Sequence, residues 1–188
     1  MSNRILGIDP GLTRCGAGII ELSNARKVSF VEVHTFRSSP EIDLAARVGS
    51  IASSIEQLIV SHKPSVLAIE RVFSQSNVRS VMGTAQISGA VLFLAHKHSI
   101  PVALHTPTEV KAAVTGSGRA DKAQVGFMVA KILGLAEVPK PADAADSLAI
   151  AICHAWRSFD ANVQSGAVGT TAAQAAWHAA IKSASKNK

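Results

Sequence analysis

Four carboxylates occupy positions where the fold can bring them together around metal ions. Asp9 ends a short apolar run, and a Pro-Gly turn follows it at once. Glu70 ends a second apolar run, and Asp143 and Asp146 lie three residues apart at the start of a strongly apolar helical stretch. Like charges raise one another's pKa unless a cation lies between them, and Mg²⁺ or Mn²⁺ prefers oxygen ligands. The pattern predicts a site for two divalent ions, which can activate a water and stabilise the leaving oxygen of a phosphodiester.

Each of these acids also has an ordinary structural interpretation. Asp9 before Pro-Gly can be a turn-forming residue, and Glu70 can be a surface acid at the end of a strand. Asp143 and Asp146 can be first-turn acids that interact with the helix dipole. All of these interpretations would have to hold at once, so we favour the shared metal site.

Cationic residues flank the acids, as a polyanionic substrate requires. Lys111 precedes the Gly-Ser-Gly break at residues 116–118 and Lys122 follows it, so both can face one phosphate path. The net charge of +6 also favours nucleic acid as a partner. A solvated surface charge is the alternative for any single member of the candidate DNA-binding set: Arg71, Arg79, Lys111, Arg119 and Lys122.

The sequence lacks the signatures of several other functional classes. The segment at 116–122 does not have the spacing of a nucleotide-binding P-loop, and no Cys or His pair has zinc spacing. Cys15 and Cys153 lie in apolar surroundings, so we interpret them as reduced core residues. No apolar run reaches the ~18 residues of a membrane span, and no secretory signal precedes the first strand. We therefore expect a cytoplasmic protein without membrane association.

Alternating strands and helices are expected to position these residues. Apolar runs bounded by turns predict strands at 5–9, 15–21, 27–36, 66–70 and 101–105, the first three forming an antiparallel meander. Helical periodicity predicts helices over 41–62, 77–98, 106–115, 121–133 and 142–156. A helix between strands of one sheet implies a right-handed crossover and a partly parallel sheet. The helix over 77–98 is apolar nearly all round, which indicates burial within the domain or against a partner.

The predicted elements form one domain over residues 1–158. Residues 159–188 are rich in Ala and Ser with basic residues near the end, and they show weak patterning. We expect this tail to be flexible.

Four segments resemble the RuvC family of Holliday junction resolvases. They are ILGIDPGLTRCGAGII, AIERVFSQSNVRSVMGTAQ, TPTEVKAAVTGSGRADKAQV and KPADAADSLAIAICH, in order from about Asn3 to Arg157. The resemblance implies an α/β fold of the ribonuclease H-like type, with a five-stranded mixed sheet flanked by helices. It also implies a homodimer that binds four-way junction DNA and makes paired, symmetric, Mg²⁺-dependent nicks in DNA recombination and repair.

The resemblance further implies roles for individual residues. The family's catalytic carboxylates match Asp9, Glu70, Asp143 and Asp146, and its basic residues near the scissile phosphate match Lys111 and Lys122. A loop aromatic that stacks near the open junction centre matches Phe73, which can otherwise anchor the loop on the core. The long helix matches the family's dimer contact, and the RuvA–RuvB branch-migration complex is the implied partner.

Two rival functions remain open beside a metal-dependent endonuclease. A phosphotransferase or ATPase of the actin and sugar-kinase type also uses an apolar strand followed by Asp and Gly. Those proteins need two such domains, which 188 residues cannot supply. A non-catalytic junction-binding module would gain nothing from acids that face phosphate. We therefore favour catalysis by the four carboxylates, with Lys122 or Lys111 offsetting charge on the pentacovalent phosphate.

Overall fold

A five-stranded mixed sheet forms the centre of the part of the chain that the structure describes. The structure is a computed structural model and describes residues 3–23, 27–71 and 78–165, without the side chains of 78–80 and 159–165. The strands are β1 Arg4–Asp9, β2 Arg14–Leu22, β3 Val28–Arg37, β4 Val66–Glu70 and β5 Val102–His105. Their order is β3-β2-β1-β4-β5. The first three strands pair antiparallel, and β4 and β5 run parallel to β1, which confirms the predicted meander and mixed sheet.

Helices cover both faces of this sheet. They are α1 Leu44–His62, α2 Val78–Lys97, α3 Pro107–Thr115, α4 Lys122–Leu133 and α5 Ala142–Ser165. Side chains alternate across a strand, so Leu6 and Ile8 of β1 pack in the core with α1 and α2. Ile5 packs on the opposite face, in the core that α3, α4 and α5 share. None of the described helices has the length and apolar character needed to cross a bilayer.

Two helix ends differ from the sequence prediction. Helix α1 begins at Leu44 and not near residue 41, because the Asp43 side chain accepts from the Ala46 N–H at 2.9 Å and caps it. Ile42, which lies inside the predicted helix range, precedes the observed helix and is 46% exposed. Helix α5 continues to Ser165, past the predicted end at Trp156, because no Gly or Pro interrupts the sequence between Pro141 and Gly166.

The chain divides into two compact units, Met1–Arg157 and Ser158–Lys188. In the second unit the structure describes only the helical backbone of α5 as far as Ser165. The predicted flexibility of this tail remains a prediction.

Candidate active site

Two adjacent strand ends deliver Asp9 and Glu70 to one edge of the sheet. Ile8 of β1 pairs in parallel register with Ile69 of β4, so the last residues of the two strands, Asp9 and Glu70, lie beside each other. Both acids also share a face. Side chains alternate along a strand, so Asp9 points to the same face as Ile5, four residues earlier. Ile5 packs in the core on the α5 side of the sheet. The structure therefore brings together the two strand-end acids that the sequence singled out.

Helix α5 reaches these acids because glycines in β1 and β2 leave room for its backbone. A Cβ on Gly16 would lie 2.0 Å from the carbonyl oxygen of Asp143, and one on Gly7 would lie 2.2 Å from that of Ser147. Gly16 pairs with Asp9 across the two strands. The first turn of α5 thus lies directly on the sheet at the level of Asp9, and this contact positions Asp143 and Asp146.

Capped helix starts position the two lysines. Thr106 and Glu109 form a capping box at the start of α3, which carries Lys111. Asp121 and Gln124 form a second capping box at the start of α4, and Lys122 is the first residue of that helix. Each lysine therefore projects from a helix whose start is fixed by reciprocal hydrogen bonds.

A pocket of about 270 Å³ collects five of these predicted side chains. Asp9, Glu70 and Asp146 line it together with Lys111 and Lys122, and the remaining wall is apolar, from α3 and α4. Asp143 lines a neighbouring pocket. The acid cluster thus spans the boundary between two adjoining cavities.

Burial and mutual repulsion shift the ionisation of the strand-end acids. The pKa of Asp9 is raised to about 7, first by burial and then by the charges of Glu70, Asp146 and Asp143, while Lys122 lowers it. The pKa of Glu70 is also raised, chiefly by burial and then by Asp146. At neutral pH the site therefore carries negative charge that needs further compensation.

Two cations partly supply that compensation from opposite sides. The Lys122 Nζ donates to Asp146 Oδ2 at 3.1 Å, and the charge of Asp146 raises the pKa of Lys122. The Arg14 Nε lies 3.3 Å from Asp143 Oδ2. Sequence reasoning missed Arg14. Its one signal is that it opens β2 directly after the turn that follows Asp9, which places it at the same edge of the sheet.

The four carboxylates lie near one another, but in this structure they are not arranged as a complete set of metal ligands. Among the described residues, no group of three or more His, Cys, Asp or Glu side chains is arranged to hold a metal ion. Asp143 and Asp146 instead form ion pairs with Arg14 and Lys122. The donor chemistry still fits a hard divalent cation, because the acids that face one another offer only oxygen ligands around a buried carboxylate of raised pKa.

The remaining predicted DNA-binding residues lie away from the pocket or outside the described residues. Arg71 is exposed directly after β4, where its backbone N–H donates to the His105 carbonyl at 2.7 Å. Arg119 is exposed just before α4. Phe73 and the side chain of Arg79 lie outside the described residues.

Comparisons with known proteins identify relatives of this chain. The family model described as crossover junction endodeoxyribonuclease RuvC matches residues 5–154. The chain is 52% identical over 198 residues to the crossover junction endodeoxyribonuclease RuvC of Leifsonia xyli subsp. xyli, covering 99% of this chain and 95% of the relative. It is 57% identical over 155 residues to that of Saccharopolyspora erythraea, covering 82% of this chain and 78% of the relative.

Solved structures show the same likeness. The chain matches T. thermophilus RuvC in complex with Holliday junction substrate with a TM-score of 0.80 and 34% identity, over 84% of this chain and 96% of that one. This match confirms the ribonuclease H-like fold predicted from the sequence. The yeast mitochondrial Holliday junction resolvase Ydc2 shares the fold at a TM-score of 0.60 and 14% identity, over 84% of this chain and 81% of that one. From the match of the family model and the identity to these relatives, the chain belongs to the RuvC family of crossover junction endodeoxyribonucleases.

Proposed function

We propose that this protein resolves Holliday junctions by paired, symmetric, metal-dependent nicks in DNA recombination and repair. The observation that carries the proposal is the pocket in which Asp9, Glu70 and Asp146 face Lys111 and Lys122. Buried acids beside cations suit hydrolysis of a phosphodiester better than simple DNA binding, because acids that face phosphate weaken binding. Family membership and the junction complex of the T. thermophilus relative support the choice of substrate.

The four carboxylates are the groups that would hold the metal. We propose Mg²⁺ as the natural ion, two per site, with Mn²⁺ as a substitute; the holding residues are Asp9, Glu70, Asp143 and Asp146. When bound, such ions supply Lewis-acid stabilisation of the phosphodiester oxygens and lower the pKa of a nearby water. Asp9 has the central role in this set, because its pKa responds to all three of the other acids.

The two lysines supply positive charge for the substrate. Lys122 and Lys111 line the same pocket wall as the strand-end acids, and both lower the pKa of Glu70. Charge builds up on the phosphate as the fifth oxygen bond forms, and a fixed ammonium there stabilises that state more than the ground state. We assign this role first to Lys122, because its contact with Asp146 already fixes its Nζ at the site.

An exposed apolar stripe on α2 supports a homodimer. Met82 and Phe93 are 55% and 65% exposed, and they share one helical face with the exposed small residues Ala85 and Gly89. An added Cβ at Gly89 would meet nothing within 4 Å, so a second helix can approach closely there. A two-fold dimer would present two equivalent sites to a two-fold junction, which accounts for paired nicks.

Family membership and the sequence pattern support the remaining assignments. We propose the RuvA–RuvB branch-migration complex as a partner and the cytoplasm as the site of action. We also propose that Phe73, Arg71, Arg79 and Arg119 contact the DNA outside the catalytic pocket.

The decisive experiment is cleavage of a synthetic four-way junction with Mg²⁺, compared with a linear duplex of the same sequence. We expect paired nicks in the junction from the wild-type protein. The Asp9→Asn variant should bind the junction and leave it intact, because it lacks the central carboxylate. Equal cleavage by Asp9→Asn would contradict the proposed site. Tight junction binding by the wild-type protein without cleavage in any divalent ion would favour the non-catalytic module.

A further inference from the structure

A second pocket, of about 420 Å³, adjoins the acid site on the β2 side of β1. Its walls are the loop that leads from β1 into Arg14, the Arg47 side chain of α1, Gly83 and Thr84 of α2, and Asp143. The pocket of the two lysines contains Glu70, which lies on β4 at the other side of β1. The two pockets are linked by the first turn of α5, because Asp146 lines the pocket of the lysines and Asp143 lines the pocket of the arginines.

Arg47 is held in this pocket by neutral groups. Its Nε donates to Ser38 Oγ at 3.0 Å, and a terminal nitrogen donates to Thr13 Oγ1 at 3.2 Å. These bonds use two of the five N–H donors of a guanidinium. No salt bridge to a carboxylate of the described residues accompanies them, and the residue is half-buried. A fixed positive charge that has no acidic partner among the described residues therefore lines a pocket beside the acid site.

The loop between β1 and β2 is itself held in place, so the pocket is preformed. Ser38 Oγ donates to the Leu12 carbonyl, and the Ser38 N–H donates to the Thr13 carbonyl at 3.2 Å. On the other side of the loop, Leu12 packs on α2 at Gly83, where an added Cβ would lie 3.0 Å from the Leu12 Cβ. Ser38 thus hydrogen-bonds both to Arg47 and to the loop and holds them together.

Arg14 adds a second guanidinium to the pocket and links it to the acid cluster. Its Nε lies 3.3 Å from Asp143 Oδ2, yet its side chain stays 54% exposed and accessible to a ligand. Guanidinium groups match the geometry of phosphate oxygens and bind them through paired N–H donors.

We propose that Arg14 and Arg47 bind a backbone phosphate of the substrate DNA that flanks the scissile phosphate. The assignment rests on the proposed junction cleavage and adds a positioning subsite to it. A strand that crosses the acid cluster meets the lysines in one pocket and the arginines in the other. Contacts to phosphates fix the register of a protein on DNA without reading its sequence, so this subsite sets which phosphate reaches the carboxylates.

The test is the salt dependence of junction binding by the full chain in EDTA. The logarithm of affinity falls linearly with the logarithm of salt concentration, and loss of one phosphate contact reduces the slope by about 1. We expect that reduction for Arg47→Gln and again for Arg14→Gln. Arg47→Lys keeps the charge and should retain the wild-type slope. Lys131→Gln makes the same charge change at an exposed site on α4 and should also leave the slope unchanged.

Single-turnover cleavage provides the second measurement. Arg47→Gln and Arg14→Gln should cut the junction roughly 10–100-fold more slowly, because the strand is no longer held in register. A wild-type slope in both Gln variants would overturn the subsite and leave the proposed function intact. Absence of cleavage by the wild-type protein would instead overturn the proposed function. Should Arg47→Gln fail to fold, the exposed Arg14→Gln variant still decides the question.

Discussion

Lys122 Nζ lies 3.1 Å from Asp146 Oδ2, and both side chains line the pocket that contains Asp9 and Glu70. The ammonium lowers the pKa of both strand-end acids, which burial and neighbouring acids raise. One lysine therefore serves two needs of the site. It favours the ionised form of both strand-end acids, and we propose that it offers positive charge to a bound phosphate.

Replacing Lys122 by Met should slow junction cleavage by roughly 10²–10³-fold, the usual cost of removing one group that stabilises charge in the transition state. The rise in rate with pH should also move to higher pH, since the pKa values of Asp9 and Glu70 lose a lowering influence. Single-turnover rates across pH 6–9 measure both effects. Lys131→Met on the same helix is the matched control and should cleave at the wild-type rate. An unshifted profile in Lys122→Met would contradict this role.

Asp9→Asn should stabilise the metal-free protein at pH 8. The pKa of Asp9 is about 7 in the folded state against an ordinary value of 3.8, so the folded state binds the proton more tightly than the unfolded chain. Stability contributed by the protonated carboxyl is therefore full below 3.8 and is lost as pH rises to 7. The advantage of Asp9→Asn over the wild-type protein in unfolding free energy should grow over this pH range to at most about 4 kcal/mol. Denaturant unfolding in EDTA at pH 5 and pH 8 measures it, and equal stabilities at pH 8 would contradict the raised pKa.

Adding Mg²⁺ should make the wild-type protein more stable than Asp9→Asn. A ligand that binds only the folded state stabilises it by mass action, and the wild-type protein keeps the full set of carboxylates. The increase in Tm on adding Mg²⁺ should therefore be larger for the wild-type protein than for Asp9→Asn.

Gly16→Ala should separate α5 from the sheet and impair the site. The added methyl group would lie 2.0 Å from the Asp143 carbonyl oxygen, so the first turn of α5 must move. We expect a loss of at least ~1–3 kcal/mol in unfolding free energy, with weaker metal binding and slower cleavage. Gly49→Ala is the matched control. Gly49 lies within α1 with nothing within 4 Å of an added Cβ, so this change should add about 0.5–1 kcal/mol of stability.

Phe93→Glu should convert the proposed dimer into monomers. The change places a charge at one end of the exposed apolar stripe of α2, where Phe93 is 65% exposed. Sedimentation or light scattering measures the mass, and the junction assay should then show single nicks in place of paired ones. Phe127→Glu alters a similarly exposed aromatic residue, 60% exposed on α4, and should leave the mass unchanged. A dimeric Phe93→Glu protein would place the contact elsewhere.

The sequence was sufficient to predict the acid cluster because local patterns position its members. Apolar runs that end in Asp9 and Glu70 imply strand ends, and parallel pairing of Ile8 with Ile69 then brings the acids together. Glycine within a strand often marks close backbone approach, and Gly16 lies against the Asp143 carbonyl in this way.

The partners of the basic residues near the acids were harder to predict from the sequence. Arg14 meets Asp143, and Arg47 meets Ser38 and Thr13, only after the sheet has paired and the helices have packed. Such contacts depend on how segments that are distant in the sequence align with one another. The periodicity of apolar residues within one segment does not contain that information. The same reasoning explains why the sequence predicted Lys122 beside the acids without indicating which carboxylate it would contact.

The glycine-lined contact between α5 and the sheet has a consequence for how the molecule opens. Leu148, Ile150 and Ile152 of this helix are fully buried, and Asp143 and Asp146 belong to the same helix. Backbone amides in such a segment exchange their hydrogens with solvent mainly when the whole domain unfolds. The carboxylates of Asp143 and Asp146 therefore belong to a helix whose buried part we expect to be among the slowest-exchanging segments of the domain.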